Sequence, residues 1–195
     1  MSTQTAPKTT TAADYLAFER KSEEKHEFVN GQIRLMSGAS RNHNRIAANI
    51  GTLLGVGLKG KPCEHFISDM RVKVASGGRY TYPDLSVVCG GPEFEDDVLD
   101  TLLNPNAIFE ILSKSTAEYD RGDKFASYRN LPSLKEYLLV SQDAPQVEHF
   151  TRLDDGAWRF NPTEGLDSEV RLVTAEVVLT LRDIYDKVSF EGKEN

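Results

Sequence analysis

The chain has 195 residues, with 23 Lys and Arg against 30 Asp and Glu, so its formal net charge is −7 at pH 7. This length suits a single domain. The acidic balance argues against a large basic surface that binds nucleic acid by charge alone, but it allows a small basic cleft or carboxylates neutralised by metal ions. Two cysteines exclude a disulfide framework and a four-cysteine zinc site, and they favour a reduced, cytoplasmic setting. No apolar run approaches the roughly 20 residues that cross a bilayer, so we expect no membrane partner.

The chain divides into a tail, one domain and a short flexible end. We predict a disordered Thr-, Ala- and Pro-rich tail over 1–11, the domain over 12–188 and a flexible C-terminus over 189–195. Thr11, followed three residues later by Asp14, predicts a capped helix that runs to about Arg20. Asn30-Gly31 between two strand-like segments predicts a hairpin with a type I′ turn.

Helical and strand-like segments are mixed along the rest of the chain. Apolar residues at helical spacing predict a helix from about Ser40 to Lys59. Strict alternation from Phe66 to Val74 predicts a half-buried strand, with Asp69 on its more polar face. Further strands are predicted at 82–89, 107–112, 136–141 and 146–152 and near Trp158 and Val177, and further helices at 120–130 and 181–187. This order predicts one α+β or α/β domain.

Two carboxylates stand where apolar residues are expected. Asp84 opens an apolar strand directly after Pro83, and Glu110 lies in the middle of Ala107-Ile-Phe-Glu-Ile-Leu112. A lone ionised carboxylate in such a run is costly, so Glu110 must be neutralised, be paired or bind a cation. If the two strands are neighbours, the two carboxylates repel each other and favour a bound divalent ion.

A lysine on the following helix completes a set of residues able to do chemistry. Lys124 begins an amphipathic helix whose Phe125 and Tyr128 can pack on the sheet. Its ammonium group could then reach the carboxylate pair. Asp, Glu and Lys together suit metal-assisted hydrolysis of a phosphodiester, because the metal lowers the pKa of a bound water and the lysine steadies developing negative charge.

Several motifs resemble one nuclease family. Pro83-Asp84 followed by Glu110-x-Leu112 is similar to the PD-(D/E)xK nuclease superfamily, although the lysine usual at the third position is absent. Over about Ala12 to Lys187, the order of motifs resembles the Uma-type family of restriction endonucleases. These motifs are Glu27-Phe-Val-Asn-Gly-Gln-Ile, Gly38-Ala-Ser-Arg-Asn-His43-Asn44, Ser68-Asp69-Met-Arg-Val, Thr81-Tyr-Pro-Asp84-Leu-Ser-Val-Val, Glu110-Ile-Leu-Ser-Lys-Ser-Thr116, Tyr119-Asp-Arg-Gly-Asp-Lys124-Phe and Leu131-Pro-Ser-Leu-Lys-Glu-Tyr-Leu-Leu-Val.

The resemblance implies a restriction-endonuclease-like fold, in which a central mixed β-sheet is flanked by helices. It implies an endonuclease that cleaves DNA with Mg²⁺, for which Mn²⁺ can substitute, and that works as a homodimer. It moves the missing lysine role to Lys124, with Lys114 as the rival. It also adds Glu27 and Asp69 to the metal ligands Asp84 and Glu110.

Each of these residues also has a plain structural interpretation. Asp84 could cap a turn, Glu110 could pair with a buried Arg or Lys, and Glu27 and Lys124 could be solvated. Asp69 could belong to an ion-pair ladder with its strand neighbours. For substrate binding we predict His43 and Asn44 at the start of the long helix, where they could equally be capping residues. Arg121 and Lys114 are the further substrate-binding candidates.

Two other functions compete with the endonuclease. One is a catalytically inactive nucleic-acid-binding or interaction protein that retains the nuclease fold. The other is a metal-dependent hydrolase of a non-nucleic substrate, whose cleft should lack a track of basic residues; scattered positions for the candidate track would favour it. The candidate track comprises Lys59, Lys61, Arg71, Lys73, Arg79, Lys114, Arg121 and Arg129. The acidic loop at about 90–100 is predicted to be solvated and to face away from the cleft.

Overall fold

Thirteen strands and five short or medium helices make up the part of the chain described by the computed structural model, residues 10–74, 78–113 and 116–190. The predicted tail and the flexible C-terminus lie almost wholly outside these residues. The strands are β1 (His26–Val29), β2 (Gln32–Leu35), β3 (Cys63–Ile67), β4 (Arg71–Val74), β5 (Arg79–Thr81), β6 (Leu85–Cys89), β7 (Thr101–Leu102), β8 (Ala107–Leu112), β9 (Glu136–Ser141), β10 (Gln146–Arg152), β11 (Trp158–Glu164), β12 (Glu169–Leu172) and β13 (Val177–Thr180).

The helices are α1 (Ala12–Glu19), α2 (Arg41–Gly57), α3 (Ala117–Tyr119), α4 (Phe125–Tyr128) and α5 (Leu181–Ile184), and a π-helical segment (Asp120–Lys124) joins α3 to α4. The predicted N-terminal helix cap and hairpin turn are confirmed. Thr11 and Asp14 form a capping box on α1. Asn30 and Gly31 have φ angles of 52° and 81°, the left-handed values that a type I′ hairpin turn requires.

The strands form two mixed sheets and one separate pair. The orders are β2-β1-β5-β4-β7, β11-β10-β9-β8-β6-β3 and β12-β13. In the six-stranded sheet β8 and β9 are parallel, whereas the other neighbours are antiparallel. The predicted mixed α/β class, with helices around a mixed sheet, is therefore confirmed.

Helices cover both faces of the six-stranded sheet. On one face the apolar stripe of α2, including Ile46 and Ile50, packs in a core with Phe109. On the other face Tyr128 of α4 packs in a second core with Ile108. Because side chains alternate along β8, Glu110 projects to the same side as Ile108, towards α4.

The predicted strand from Phe66 to Val74 is wrong as a single element. A turn over 68–70 separates β3, which pairs with β6, from β4, which lies in the other sheet between β5 and β7. The alternation of apolar residues continues across the turn, and no Gly or Pro marks it. Asp69 consequently lies on an exposed turn and not in a strand.

The acidic loop is less solvated than predicted. Arg20 donates hydrogen bonds to Asp96 and Asp100, and the buried Arg71 makes a 2.5 Å ion pair with Asp100. The short strand β7, which the sequence did not reveal, follows the loop and pairs with β4. Glu95, Asp96 and Asp100 of the loop are thus paired with cations of the same chain, whereas Glu93 and Asp97 are exposed.

The two cysteines are joined to each other. Cys63 and Cys89 face each other in the register of β3 and β6, and their sulfur atoms form a disulfide. No helix in the described ranges is long and apolar enough to cross a membrane.

Candidate functional site

Asp84, which directly precedes β6, lies beside Glu110, which is inside the neighbouring strand β8. In the antiparallel pair of β6 and β8, Leu85 faces Phe109, so the next step of the register sets Asp84 opposite Glu110. Asp84 Oδ2 also accepts a 2.7 Å hydrogen bond from the backbone N–H of Ile111. The predicted juxtaposition of the two carboxylates is therefore present.

The N-terminus of α2 reaches this carboxylate pair. Ser40 caps the helix by accepting a hydrogen bond from the backbone N–H of His43. His43 Nε2 lies 3.1 Å from Asp84 Oδ1, whereas its Nδ1 is buried without a hydrogen-bond partner among the described residues. Asn44 lines the same pocket, but its amide group donates to the carbonyl of Ser40 and therefore caps the chain locally.

Lys124 is buried and shared among three carboxylates. Its Nζ atom lies 3.0 Å from Glu110 Oε1, 3.4 Å from Glu27 Oε1 and 3.5 Å from Asp120 Oδ1. Only 6% of Lys124 and 4% of Glu110 are exposed, which excludes the interpretation of Lys124 as a solvated surface lysine. Glu27 is buried as well, and its Oε1 has this ion contact but no hydrogen bond in the described structure.

Three tyrosines surround the carboxylates. Tyr128 donates a 3.0 Å hydrogen bond to Glu110 Oε1, and Thr81 lies 2.8 Å from the Tyr128 hydroxyl. Tyr119 donates to Glu27 Oε2 at 3.3 Å, and Tyr137 donates to the backbone carbonyl of Asp120 at 3.0 Å. Tyr128 and Tyr137 thus hold the site from its buried side, whereas the half-buried Tyr119 lines the cavity.

The pKa shifts record a shortage of positive charge. Burial raises the pKa of Glu110 well above its usual value, and the nearby Asp84 acts in the same direction while Lys124 opposes it. Burial likewise raises the pKa of Asp120. Burial alone would lower the pKa of Lys124, but Glu110, Glu27 and Asp120 outweigh it, so that pKa lies well above its usual value. Lys124 is therefore a firmly charged ammonium group.

The π-helical segment brings two of these groups inward. Asp120, Lys124 and Tyr128 follow one another at four-residue intervals, and all three are buried against the sheet. Short π-helical insertions are frequent at functional sites. Asp120, Tyr128 and Tyr119 were not predicted as site residues, and the four-residue spacing with Lys124 was the signal that could have found the first two.

The site opens into a cavity of about 1210 Å³. Its charged lining is acidic on balance. The acidic lining residues are Glu23, Glu24, Glu27, Asp84, Glu110 and Asp120, and the basic ones are Lys25, Arg34 and Lys124. Lys25 is paired with Asp69, and Arg34 donates a hydrogen bond to Gln32. An anionic substrate would meet this surface favourably only if further cations were present.

Two predicted site residues lie apart from the others. Asp69 pairs with Lys25 on its exposed turn, and it does not line the cavity. Arg121, next to Asp120 on the π-helical segment, makes a bidentate ion pair with Glu148 instead of facing the cavity. Lys114, the rival of Lys124, lies outside the described residues.

The predicted track of basic residues is not formed in the described part of the chain. None of its described members lines the cavity. Arg71 pairs with Asp100, Lys73 with Glu95, and Lys61 donates to backbone carbonyl groups. Most of these side chains neutralise or hold other parts of the fold, and such long-range partners are invisible in the sequence.

The oxygen donors suit a magnesium ion. No group of three or more His, Cys, Asp or Glu side chains has metal-binding geometry in the described residues. Mg²⁺, however, is commonly held by one or two carboxylates, with water and substrate phosphate completing its coordination. Asp84 and Glu110 would supply such a pair, and the raised pKa of Glu110 is the effect that a nearby cation would reverse.

Comparison with known proteins agrees with this architecture. A family model described as "Uma2: Putative restriction endonuclease" matches residues 12–182. The chain is 40% identical to the uncharacterized protein sll1609 of Synechocystis sp. over 160 residues, which are 82% of this chain and 90% of that protein. It is 39% identical to the uncharacterized protein slr1290 of the same organism over 145 residues, which are 74% and 75% of the two chains.

A solved structure shares the fold. The crystal structure of "a putative nuclease belonging to DUF820" from Anabaena variabilis superposes with a TM-score of 0.74 at 17% identity, over 92% of this chain and 99% of that chain. Fold and site together thus define a nuclease-like protein of the restriction-endonuclease-like class. The chain belongs to the Uma2 family described by that model, which confirms the resemblance drawn from the motifs.

Proposed function

We propose that the chain is a Mg²⁺-dependent endonuclease that hydrolyses DNA phosphodiester bonds, with Mn²⁺ able to replace Mg²⁺. The observation that supports it best is the opposition of Asp84 and Glu110 on neighbouring strands, beside one buried lysine and at the floor of an open cavity. The family description and the likeness in fold to a nuclease support the same activity.

In this proposal Asp84 and Glu110 bind the metal, and Glu27, which contacts the same Lys124 ammonium group as Glu110, is a further candidate ligand. A bound Mg²⁺ would supply Lewis acidity and a more acidic water. His43 orients Asp84 through the 3.1 Å contact and, with Asn44, faces the incoming phosphate. Asp69 and Arg121, by their positions, contribute nothing to this constellation.

Lys124 has a narrower role than general base. A charged ammonium group has three donors and no acceptor, so it cannot take a proton from water. Its raised pKa keeps it in that form. We therefore assign it to holding the attacking oxygen by donation and to stabilising the negative charge that develops on the phosphate.

The test is cleavage of supercoiled DNA with Mg²⁺ or Mn²⁺. We expect Asp84→Asn and Glu110→Gln each to lower the rate by about 10³-fold or more, because several kcal/mol of charge stabilisation are removed. Glu148→Gln is the matched control, since Glu148 pairs with Arg121 outside the cavity and should keep wild-type cleavage. Wild-type protein without metal-dependent cleavage on varied DNA would contradict the endonuclease and leave the inactive binding protein or a hydrolase of a non-nucleic substrate.

One observation favours a second candidate, a metal-dependent hydrolase of a non-nucleic substrate. The cavity lining is acidic, and the described members of the predicted basic track are scattered. If this candidate is correct, wild-type protein should hydrolyse a small phosphodiester such as bis(4-nitrophenyl) phosphate with Mg²⁺ while leaving DNA intact. Competition settles the choice, because excess duplex DNA should inhibit that hydrolysis only in an enzyme that binds DNA at the same site.

The homodimer stays a prediction from the family resemblance. Light scattering on the purified chain, with and without duplex DNA, measures the mass of the particle directly. A mass of one chain under both conditions would contradict the homodimer without affecting the assignment of the site.

A further inference from the structure

The acidic cavity needs cations nearby if a polynucleotide is to enter it. Among the described residues, three basic side chains line the cavity, and Lys124 among them is already surrounded by carboxylates. A phosphate backbone is held chiefly by Lys and Arg that release counterions on binding. Lys25 is paired with Asp69 and Arg34 donates to Gln32, so further cations that hold the strand should lie beside the cavity, unpaired and exposed.

Two arginines on α2 meet this requirement. Arg41 and Arg45 are exposed, and the side chain of neither makes a hydrogen bond or an ion pair with any described residue. Together with Asn44 and Ala48 they line a shallow depression on the helix surface. Asn44 and Ala48 also line the main cavity, so the depression continues directly into the site.

The helix itself is electrostatically unusual for this chain. On a chain with a formal net charge of −7, α2 spans 17 residues without one Asp or Glu. Arg41 and Arg45 lie in its first turns, where the helix dipole adds partial positive charge. Residues four apart rise about 6 Å along a helix, a distance that spans about two phosphates of one DNA strand at 3.4 Å each.

Beyond these arginines, small residues lie on the exposed side of the helix. Ala48, Thr52 and Gly55 follow them along the exposed side of the helix. Such small residues let a bulky sugar-phosphate chain lie close to the helix. They support the assignment only alongside the two unpaired arginines, whose planar guanidinium groups match phosphate geometry.

We propose that α2 is the strand-docking element of this protein, and that Arg41 and Arg45 hold phosphates of the DNA backbone next to the scissile bond. This inference rests on the proposed function and names the residues that bind its substrate. It replaces the track of basic residues predicted from the sequence, whose described members are scattered in the structure, with two neighbouring arginines beside the cavity.

The experiment measures DNA affinity as a function of salt. Duplex DNA binding to the full chain is followed by fluorescence anisotropy in Ca²⁺, with salt varied from about 50 to about 200 mM. For the double variant Arg41→Ala/Arg45→Ala we expect the slope of log K against log[salt] to shrink by about 2, since each lost phosphate contact removes about 0.9. Both residues are exposed, so the urea unfolding midpoint should equal that of the wild type.

The matched control removes the same charge elsewhere. Arg159 and Arg171 are exposed on β11 and β12, and their side chains have no partner among the described residues. Arg159→Ala/Arg171→Ala should keep the wild-type slope. An unchanged slope in the α2 variant, or an equal loss in both double variants, overturns the inference.

The two proposals can fail separately. Hydrolysis of bis(4-nitrophenyl) phosphate by wild-type protein reports the metal-dependent centre without requiring a docked strand. Such hydrolysis with no salt-dependent DNA binding would overturn the role of α2 and keep the centre. Salt-dependent binding that needs Arg41 and Arg45, with no hydrolysis of any phosphodiester, would support the role of α2 and overturn the catalytic proposal.

Discussion

Two acidic regions of this molecule are built on opposite electrostatic principles. In the loop around Asp100, two arginines pair with one carboxylate: Arg20 and Arg71 lie 2.9 and 2.5 Å from Asp100. The hydrogen bond from Arg20 lowers the pKa of Asp100 well below its usual value. Partial burial acts in the opposite direction, and the hydrogen bond from Arg71 adds to the lowering. At the candidate site, burial instead raises the pKa of Glu110 well above its usual value.

The difference separates carboxylates that are paired within the fold from those of the candidate site. A carboxylate that only stabilises a fold is paired as the partly exposed Asp100 is, because burying an unpaired charge is costly. Around Lys124, three carboxylates share one ammonium group, with Asp84 in addition. Such a surplus of negative charge is tolerable in a site that receives a cation from outside the chain.

Removing the shared lysine should have the largest effect on stability. Lys124→Met leaves Glu110, Glu27 and Asp120 without their buried cation, so we expect the free energy of unfolding at neutral pH to fall by about 3–5 kcal/mol. Urea unfolding followed by circular dichroism measures this loss. The matched control is Lys73→Met, whose pair with Glu95 is one-third exposed at the lysine and should cost about 1 kcal/mol or less.

An unchanged unfolding free energy in Lys124→Met would contradict the comparison. It would mean that the site carboxylates are already neutral and that the shortage of positive charge does not exist. If only the Lys73 variant lost stability, the roles of the two regions would be reversed.

Metal ions should stabilise the folded chain by binding at the candidate site and not at the acidic loop. A ligand that binds only the folded chain adds about 2.7 kcal/mol at one hundred times its Kd. We expect Mg²⁺ or Mn²⁺ to raise the unfolding free energy of wild-type protein in this way. The increase should disappear in Asp84→Asn/Glu110→Gln, because those carboxylates supply the oxygen ligands.

The acidic loop provides the control for this measurement. Asp96→Asn/Asp100→Asn removes the same amount of negative charge from a region whose carboxylates are already held by arginine. This variant should keep the full metal-dependent increase. Loss of the increase in the loop variant alone would place the metal in the wrong region for catalysis.

The strengths and failures of sequence reasoning follow the same division. Glu110 and Asp84 were identifiable because each breaks an apolar segment, which is a local signal. Lys124 followed from the family resemblance and its helix. Asp69 was misplaced because the alternation of β3 continues through an unmarked turn into β4, and only the pairing of strands in two different sheets reveals that turn.

Partnership between distant residues was the part that could not be predicted. Arg71 is a candidate DNA contact by residue type, yet it is buried against Asp100 and Tyr82. Arg121 neighbours Asp120 in the chain but faces Glu148, since adjacent helical residues project in different directions. Which cations are used by the fold and which stay free depends on contacts that no local pattern encodes.

The smallest predicted effect is the acid sensitivity of the loop. The folded pKa of Asp100 lies below its usual 3.8, so its contribution to stability is fully present above that pH and is lost as pH falls further. Because Asp100 is more than a quarter exposed and solvent screens the pair, we expect Asp100→Asn to cost only about 1 kcal/mol at pH 7. The variant should lose less stability than wild type between about pH 5 and pH 2, measured by urea unfolding across that range. Parallel pH profiles for the two proteins would mean that Asp100 has the same pKa folded and unfolded, and the contrast between the two acidic regions would then rest on Glu110 alone.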